Sequence, residues 1–427
     1  MSGADQARLR ELLPLYLVIF VGFLGYSLMI AVFTPMILRN DNAMLPAYST
    51  TGQRTLILGV LLSMYPLGQF LGSPVIGALS DRVGRRSVLI FSLAATSAWY
   101  ALIAISLTIR SLPLLLVSSL GAGVSEANIV LAQGAIADRA GPEARERLFG
   151  YIYLSASLAY VVGPLAGGKL ADRGLASWFG YPTPYWAVLG LLVAMLVWVA
   201  VAFRDVRVES SQSPVSFTQA LANLKGVITA RGLRRLYLVN FVIYLSVFGF
   251  FRVYPMYLVD EFHLGVSRVS EFVAYVAVPI VIANVWLVGA LAKRLTPVAM
   301  VIYSGVATGI LMATVVIPQN VNGLWFTLGP IAMGVAICLH SCAAMISRAA
   351  QPYEQGSAMG NNQSLQVGAE ALSGLVGGAL AAVLVKLPLL VFAACAVLGA
   401  VMLGGWSGVA APLRRSKRRN DRPRSVG

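Results

Sequence analysis

The sequence predicts an all-α membrane protein with twelve transmembrane helices, arranged as two pseudo-symmetric six-helix bundles. Three observations lead to this fold class. Of the 427 residues, 58% are hydrophobic and only 11% are charged, whereas a soluble domain carries about a quarter charged residues. Apolar stretches of spanning length recur twelve times along the chain. The two halves also repeat the same residues at nearly one offset, which indicates an internal duplication.

The apolar stretches are long enough for one membrane crossing each, since a helix needs about 20 residues to cross the hydrocarbon core. They fall at about 12–37, 56–79, 87–109, 112–136, 148–171, 184–203, 236–259, 268–291, 297–317, 324–346, 358–384 and 387–410. The polar stretch 204–235 divides them six and six and has the composition of a flexible linker. We therefore expect bundles at 1–203 and 236–411, a cytoplasmic linker at 204–235 and a basic tail at 412–427.

The duplication is visible in small and basic residues. Four positions of the fifth segment match four of the eleventh at a shift of 210: Gly150, Pro164, Gly167 and Gly168 with Gly360, Gly374, Gly377 and Gly378. The second and eighth segments match at a shift of 212, where Gly77 corresponds to Gly289. Two such halves are expected to enclose a substrate site near the middle of the bilayer.

Basic residues fix the expected topology. Most of the 32 Lys and Arg residues lie in alternate connections, in the linker and in the tail. Short loops rich in Lys and Arg stay in the cytoplasm, so we expect both termini there, in a bacterial-type inner (plasma) membrane. The same distribution accounts for the net charge of +15 without nucleic-acid binding, and the tail is expected to meet anionic lipid headgroups.

The connection between the second and third segments carries the most specific motif, Gly77-Ala78-Leu79-Ser80-Asp81-Arg82-Val83-Gly84-Arg85-Arg86. Gly77 allows close helix approach, Gly84 allows a tight turn, and Asp81 can accept hydrogen bonds from a helix start. The motif resembles the loop between helices two and three of the major facilitator superfamily of secondary transporters. The resemblance implies a charge relay at Asp81, Arg82 and Arg86 that latches the cytoplasmic side. Alternatively, Arg82, Arg85 and Arg86 only fix topology.

The fifth segment contains Gly163-Pro164-Leu165-Ala166-Gly167-Gly168, with Gly150 upstream. A proline removes a backbone hydrogen bond and glycines admit a neighbouring helix, so the stretch predicts a bend with a tight interface. It resembles the fifth-helix signature of drug:proton antiporters in the superfamily, and this resemblance favours export over uptake. Ordinary packing of small residues is the alternative.

Ionisable side chains at membrane depth are expensive and are therefore candidates for function. Glu126 lies near the centre of the fourth segment, where removal from water favours the neutral form of a carboxyl and suits a proton carrier. The resemblance implies that the fourth helix lines the cavity, so Gln133, on the same face, and the nearby Asn128 are substrate-path candidates. Glu370, in the eleventh segment, is the second proton-coupling candidate; either carboxyl could instead brace helix packing.

Arg252 is a lone cation in the seventh segment, and three interpretations stay open for it: pairing with Glu126 across the cavity, binding an anionic substrate, or snorkelling outward. His340 lies between Cys338 and Cys342 in the tenth segment. Because each helical residue turns about 100°, the cysteines share a face and the histidine points away, so no metal site is expected. His340 is instead a substrate-path or proton-relay candidate.

These observations predict a secondary transporter that moves a small organic molecule by alternating access, with proton-coupled efflux (antiport) as the leading interpretation. The sequence shows no catalytic motif, and the expected energy source is the proton gradient, with no cofactor. The first alternative is a proton-coupled uptake symporter for an amino acid, a nucleoside or an iron chelator (siderophore). A non-transporting membrane sensor or a membrane-embedded enzyme is a remote alternative. We expect a monomer in the lipid bilayer.

Overall fold

A computed structural model describes residues 3–126, 128–139, 145–203, 227, 232–351 and 355–404, and these residues form helices and connections without a strand. The helices of the first half are α1 (Gly3–Leu38), α2 (Thr51–Val83), α3 (Arg85–Thr108), α4 (Leu112–Ser125), α5 (Asn128–Arg139), α6 (Arg145–Ala171) and α7 (Thr183–Ala202). Those of the second half are α8 (Arg234–Phe262), α9 (Val266–Ile282), α10 (Val288–Ala292), α11 (Pro297–Thr314), α12 (Val321–Ala349), α13 (Gln355–Val383) and α14 (Leu387–Gly404). Most of the linker and the whole basic tail lie outside the described residues.

The helices confirm the all-helical membrane fold. Within the described ranges, ten helices are long and apolar enough to cross a membrane, with α9 and α10 counted as one span through the π-helical turn Ala283–Leu287. The two remaining predicted segments correspond to α6 and to the pair α4 and α5. The fourth predicted segment is therefore two helices and not one.

The break between α4 and α5 has a local cause and a local compensation. Gly121 and Gly123 lower the helix propensity of the last turns of α4. The Ser125 carbonyl accepts a hydrogen bond from the Ser92 hydroxyl of α3, and the Ser125 and Thr96 hydroxyls lie 3.0 Å apart. A broken helix is tolerated at membrane depth when such hydroxyls satisfy the freed backbone groups.

Side-chain caps set several helix starts at one end of the molecule. Thr50 and Gln53 form a capping box at the start of α2, with Thr50 Oγ1 accepting from the Gln53 N–H at 3.3 Å. Asn320 accepts from the Gly323 N–H at 2.8 Å at the start of α12. These caps satisfy backbone donors that have no partner within the helix. We call this end the opposite end, and the end that carries the Gly77–Arg86 connection the basic end.

The two halves meet along two pairs of helices. Within the first half α1 packs on α6, α2 on α4 and α3 on α7; within the second half α8 packs on α13 and α14, and α11 on α12 and α14. Between the halves, α2 packs along α13 and α6 along α9, while α1 touches α8 and α9. This leaves the space for a central cavity between the two interfaces.

Equivalent hydrogen bonds occur in the two halves. The Tyr16 hydroxyl of α1 donates to the Leu148 carbonyl of α6 at 3.2 Å, and the Tyr237 hydroxyl of α8 donates to the Ala358 carbonyl of α13 at 3.3 Å. The two acceptors are separated by the same 210 positions that relate the glycines of the fifth and eleventh segments. The pseudo-symmetry read from the sequence thus extends to individual contacts.

Backbones touch between the halves at the opposite end. A Cβ atom placed on Gly59 of α2 would lie 2.5 Å from the Gly374 carbonyl oxygen and 2.7 Å from the Gly378 Cα atom of α13. At the second interface, a Cβ atom on Gly168 of α6 would lie 1.9 Å from the Ser270 Oγ atom of α9. Only glycine permits these approaches, so the opposite end is closed.

Polar contacts reinforce the closure at the opposite end. Lys169, next to Gly168, forms an ion pair with Glu271 of α9 at 2.9 Å and donates to the Ser267 hydroxyl at 2.7 Å. Nearby, the Tyr181 hydroxyl donates to Asp41 at 3.0 Å, and burial together with this carboxylate raises the pKa of Tyr181. The Lys169 and Glu271 side chains are partly exposed, so this ion pair contributes at most about 1 kcal/mol in water.

The same helices are apart at the basic end. Cβ atoms placed on Gly77, Gly150, Gly289 and Gly360 would meet no heavy atom of the described residues within 4 Å. These four glycines belong to α2, α6, α10 and α13, which continue the two interfaces between the halves. The halves therefore touch at the opposite end and do not touch at these four positions, and in this sense we call the basic end open.

The Gly59→Ala substitution is expected to lower the apparent melting temperature of the purified protein by several degrees. Its methyl group would meet backbone atoms, which cannot rotate away, and such overpacking costs about 1–3 kcal/mol. Gly190→Ala in α7 is the matched control, because a Cβ atom there has open space. Equal melting temperatures for both variants would contradict the tight contact between α2 and α13.

Candidate functional site

A cavity of about 300 Å³ lies between the halves at mid-depth. Its wall is formed by α1, α6, α8, α9, α12 and α13, and most of it is apolar or aromatic. The aromatic side chains of the wall include Tyr160, Phe248 and Phe251. Its charged groups come from Arg252 and Glu370. This size and composition are typical of a site for a small organic molecule.

Arg252 is the central cation of the site and is only 2% exposed. Its Nη2 atom lies 3.2 Å from the Glu370 Oε1 atom of α13 and donates to the Tyr26 hydroxyl of α1 at 2.7 Å. Its Nη1 atom donates to the Leu62 carbonyl of α2. The guanidinium of α8 thus binds a carboxylate of its own half and two groups of the other half.

Tyr26 completes this cluster, and the sequence analysis missed it. Its hydroxyl donates to the Glu370 Oε1 atom, and its ring stacks on Tyr65 of α2 with centroids 4.9 Å apart. A tyrosine inside an otherwise apolar first segment is the signal that could have identified it, because a buried hydroxyl needs a polar partner. We call Tyr26, Arg252 and Glu370 the central triad.

The triad decides between the interpretations of Arg252. The expectation that Arg252 pairs with Glu126 is wrong in this structure, because the partner is Glu370. Snorkelling is also wrong, since the guanidinium is buried. The physical reason lies in helix rotation: residues 252 and 370 face each other across α8 and α13, a relation that spacing along the chain does not encode. Binding of an anionic substrate by Arg252 stays a prediction.

Glu126 lies outside the cavity wall. It follows the last residue of α4, its side chain is 1% exposed, and neither carboxylate oxygen has a hydrogen-bond partner among the described residues. Its Oε1 atom faces Gly22 of α1, where an added Cβ would approach to 3.1 Å. Tyr160, which lines the cavity, is within electrostatic range of Glu126 as well as of Glu370 and Arg252.

Of the other substrate-path candidates, the two whose side chains are described do not line the cavity. Gln133 is half-buried in α5 and does not line it, and the side chain of Asn128 lies outside the described residues. His340 is exposed on α12, whereas Cys338 and Cys342 are buried. The two cysteines thus share the inner face of α12 and His340 points away from it. Leu339, adjacent to His340, lines the cavity instead.

The helix-five motif packs against two neighbours. A Cβ atom on Gly163 would lie 2.3 Å from the Ser27 Oγ atom of α1, and one on Gly167 would lie 2.8 Å from the Leu28 Cβ atom. Pro164 lies inside α6, and Gly168 faces α9 as described above. The motif therefore holds α6 tightly between α1 and α9 beside the cavity, while Gly150 lies at the open end.

The motif between α2 and α3 ties several helices of the first half together. Gly84 has a φ of 103°, a left-handed conformation that favours glycine, and its N–H donates to the Ser80 carbonyl. The Arg85 Nη1 atom donates to the Ser80 hydroxyl at 3.1 Å, and the Arg86 Nη2 atom donates to the Ala200 carbonyl of α7 at 2.6 Å. The Asp81 side chain lies outside the described residues, so the latch stays a prediction.

A multi-pass helical membrane protein with two pseudo-symmetric halves, a mid-depth cavity and a buried ion pair belongs to the class of secondary transporters. The sequence profile of the Major Facilitator Superfamily matches residues 15–360 and 236–426. The chain is a member of this superfamily, whose proteins are transporters and not enzymes.

Three similar proteins illustrate the relationship. The major facilitator superfamily domain-containing protein 10 of Bos taurus is 28% identical over 347 residues, which cover 74% of this chain and 71% of the relative. The tetracycline resistance protein, class C, of Escherichia coli is 43% identical over 117 residues, 27% of this chain and 29% of that protein. The crystal structure of the human organic anion transporter MFSD10 (TETRAN) shares the fold, with a TM-score of 0.68 and 20% identity over 92% of this chain and 99% of that one.

Removing either charge of the central ion pair is expected to destabilise the protein more than removing both. Arg252→Met leaves a buried carboxylate and Glu370→Gln leaves a buried guanidinium, and an uncompensated buried charge costs about 3 kcal/mol or more. The double variant should therefore show a higher apparent melting temperature than Arg252→Met alone. Simple additivity of the two single effects would contradict the pairing.

Proposed function

We propose that this protein exports a small amphipathic organic molecule by alternating access and that the proton gradient drives the export. The observation that carries the proposal is the central triad, because it places an ionisable pair in the wall of a cavity that lies between two packed halves. A charge at membrane depth is retained at a cost of several kcal/mol, which favours a functional role for the pair.

The cavity wall indicates the general chemistry of the cargo. Aromatic rings from α6 and α8 offer a large apolar surface, and hydroxyls and the ion pair offer a few polar contacts. Such a wall suits a molecule with an aromatic or branched apolar body and one polar group. The expectation that the partners are a small molecule and the bilayer, with the protein as a monomer, fits this proposal.

Glu370 is the better supported proton carrier. Its side chain is 13% exposed and lines the cavity, so that protons and cargo can both reach it. Glu126, which the sequence analysis placed first, is buried and does not line the cavity. It is close enough to interact electrostatically with Tyr160, which does line the cavity. Glu126 stays the second candidate. The proton gradient is the only energy source that the proposal requires.

Three observations support export. The positive-inside expectation assigns the basic end to the cytoplasm, so the open side of the structure would admit cargo from there. Several relatives that match over a short part of the chain are tetracycline resistance proteins, and removal of a compound from the cell is one route to resistance. The helix-five motif, which resembles that of drug:proton antiporters, points in the same direction.

Proton-coupled symport of an organic anion is the second candidate, and Arg252 favours it. An anion that displaced Glu370 from Arg252 would leave the site neutral only if Glu370 bound a proton at the same time. Anion and proton would then move together. The similarity to an organic anion transporter agrees with this chemistry. Uptake of a nutrient would follow if both moved down the proton gradient.

The Glu370→Gln variant is expected to lose gradient-driven transport in proteoliposomes by at least tenfold while still being expressed and folded. Glutamine keeps the shape of the side chain but cannot carry a proton. Glu126→Gln is the matched comparison and is expected to retain most of the transport. If Glu126→Gln loses gradient-driven transport and Glu370→Gln does not, the proton site is Glu126.

Direction can be measured with the same vesicles under an imposed pH gradient, using tetracycline and a mixed panel of aromatic acids and bases detected by mass spectrometry. Antiport predicts that a compound moves against the proton flow. Accumulation along the proton flow, restricted to acids, would replace the export proposal by anion symport. No gradient-dependent movement of any compound would contradict both.

A further inference from the structure

We propose that Tyr26 is the positioning residue that links the proton on Glu370 to the arrangement of the two halves. The inference rests on the proposed role of Glu370 as proton carrier. Tyr26 belongs to α1 in the first half, whereas Glu370 and Arg252 belong to α13 and α8 in the second half. Its hydroxyl bonds both of them, so it joins the halves at the ionisable group itself.

The hydroxyl can serve both protonation states of Glu370. In the ionised state Tyr26 donates its hydrogen to the Oε1 atom and accepts from the Arg252 Nη2 atom. In the protonated state the carboxyl O–H can donate to the tyrosine oxygen, since a hydroxyl has one hydrogen and two lone pairs. The proton that is gained or lost exchanges with the open cavity, and no other bond is made or broken.

The link depends on the position of α1. When the halves rock, α1 moves relative to α8 and α13, which carries the hydroxyl away from the carboxylate. The ionised form of Glu370 would then lose one of its two donors, while the pairing with Arg252 stays within the second half. The hydrogen bond to the ionised carboxylate is stronger than the one to the neutral carboxyl, so the contact with Tyr26 favours the ionised form. The affinity of Glu370 for a proton therefore differs between the two arrangements, which coupling requires.

Few other groups could produce this difference. Among the described residues, the charged and titratable groups near the Glu370 carboxyl are Arg252 of α8, Tyr26 of α1 and Tyr160 of α6. From α2, Tyr65 stacks on Tyr26, but its hydroxyl has no hydrogen-bond partner in the described chain. The described parts of α12 and α14 form no hydrogen bond or ion pair with the Glu370 carboxyl. Among these described groups, Tyr26 is the one from the first half that bonds the Glu370 carboxyl directly.

The test uses the Tyr26→Phe variant, which removes the hydroxyl and keeps the ring that stacks on Tyr65. Tyr65→Phe is the matched control, because its hydroxyl makes no bond in the described chain. The probe is a charged maleimide that reacts with Gly360→Cys at the open basic end, in full-length protein in proteoliposomes, with Cys338, Cys342 and Cys395 replaced by Ala. Because the thiolate fraction itself rises with pH, labelling at each pH between 5 and 9 is divided by the labelling of the same variant unfolded in detergent at that pH, and this ratio reports how far the basic end is open.

We expect labelling to change across one pH midpoint in the cysteine background and in Tyr65→Phe. In Tyr26→Phe the midpoint should move to higher pH by about one unit, a tenfold change in the protonation equilibrium. Glu370→Gln should make labelling independent of pH, and adding Tyr26→Phe to it should not restore any pH dependence, because the hydroxyl acts through the carboxyl.

The outcomes separate the two proposals. If Glu370→Gln keeps the pH midpoint of the background, Glu370 is not the proton carrier and the proposed coupling fails. If Glu370→Gln removes the pH dependence but Tyr26→Phe keeps the background midpoint, only the role of Tyr26 is overturned. If Tyr26→Phe changes the labelling by the same factor at every pH, the hydroxyl has only a structural role. That result would also overturn the proposed role of Tyr26.

Discussion

The buried guanidinium of Arg252 is the constraint on which the centre of this protein depends. A cation at membrane depth needs a counter-charge and hydrogen-bond acceptors, because no bulk water is present to replace them. Here the acceptors come from α1, α2 and α13, so three helices must be held close to α8. The bonds of Arg252 therefore form the ionisable site, line the cavity and join the two halves at the same time.

Close contacts at glycines hold the two halves together at the opposite end, away from this polar centre. At the opposite end the backbones of α2 and α13 touch, and Gly168 of α6 meets the Ser270 side chain of α9. Gly168 and Gly378 are related by the duplication, and so are the hydrogen bonds of Tyr16 and Tyr237 within each half. The halves thus keep their internal structure partly through bonds from side chains to backbone. They meet each other through glycine backbone at α2 and α13 and through side chains such as Lys169 and Glu271.

Composition and repeats were sufficient to predict the fold. The length of the apolar segments predicted the helices, and the distribution of basic residues predicted the topology. The repeated glycines predicted the pseudo-symmetric relation between the halves. The fourth segment was the exception, because the break after Ser125 depends on the Ser92 hydroxyl of α3, which donates to the freed Ser125 carbonyl. The spacing of apolar residues along the chain does not encode such a contact between two helices.

The site was less predictable than the fold. Arg252 and Glu370 could be selected as charges at membrane depth, but their pairing depends on the rotation of α8 and α13, and they are 118 positions apart. Tyr26 lies 226 positions from Arg252 and has an ordinary amphipathic side chain. Glu126 satisfied the same criterion as Glu370, a carboxyl in an apolar segment, yet it lies behind the cavity wall. Helix orientation, which separates the two, is not contained in the count of charges.

The ion pair has an electrical consequence. With Arg252 and Glu370 both ionised, the pair has no net charge, so a membrane voltage does no work on it when the empty carrier rocks. A proton on Glu370 leaves one positive charge at the site, and carrying one charge across the whole membrane is worth about 2.3 kcal/mol per 100 mV. Voltage would thus act on the protonated site without an anion and leave the unprotonated site unbiased.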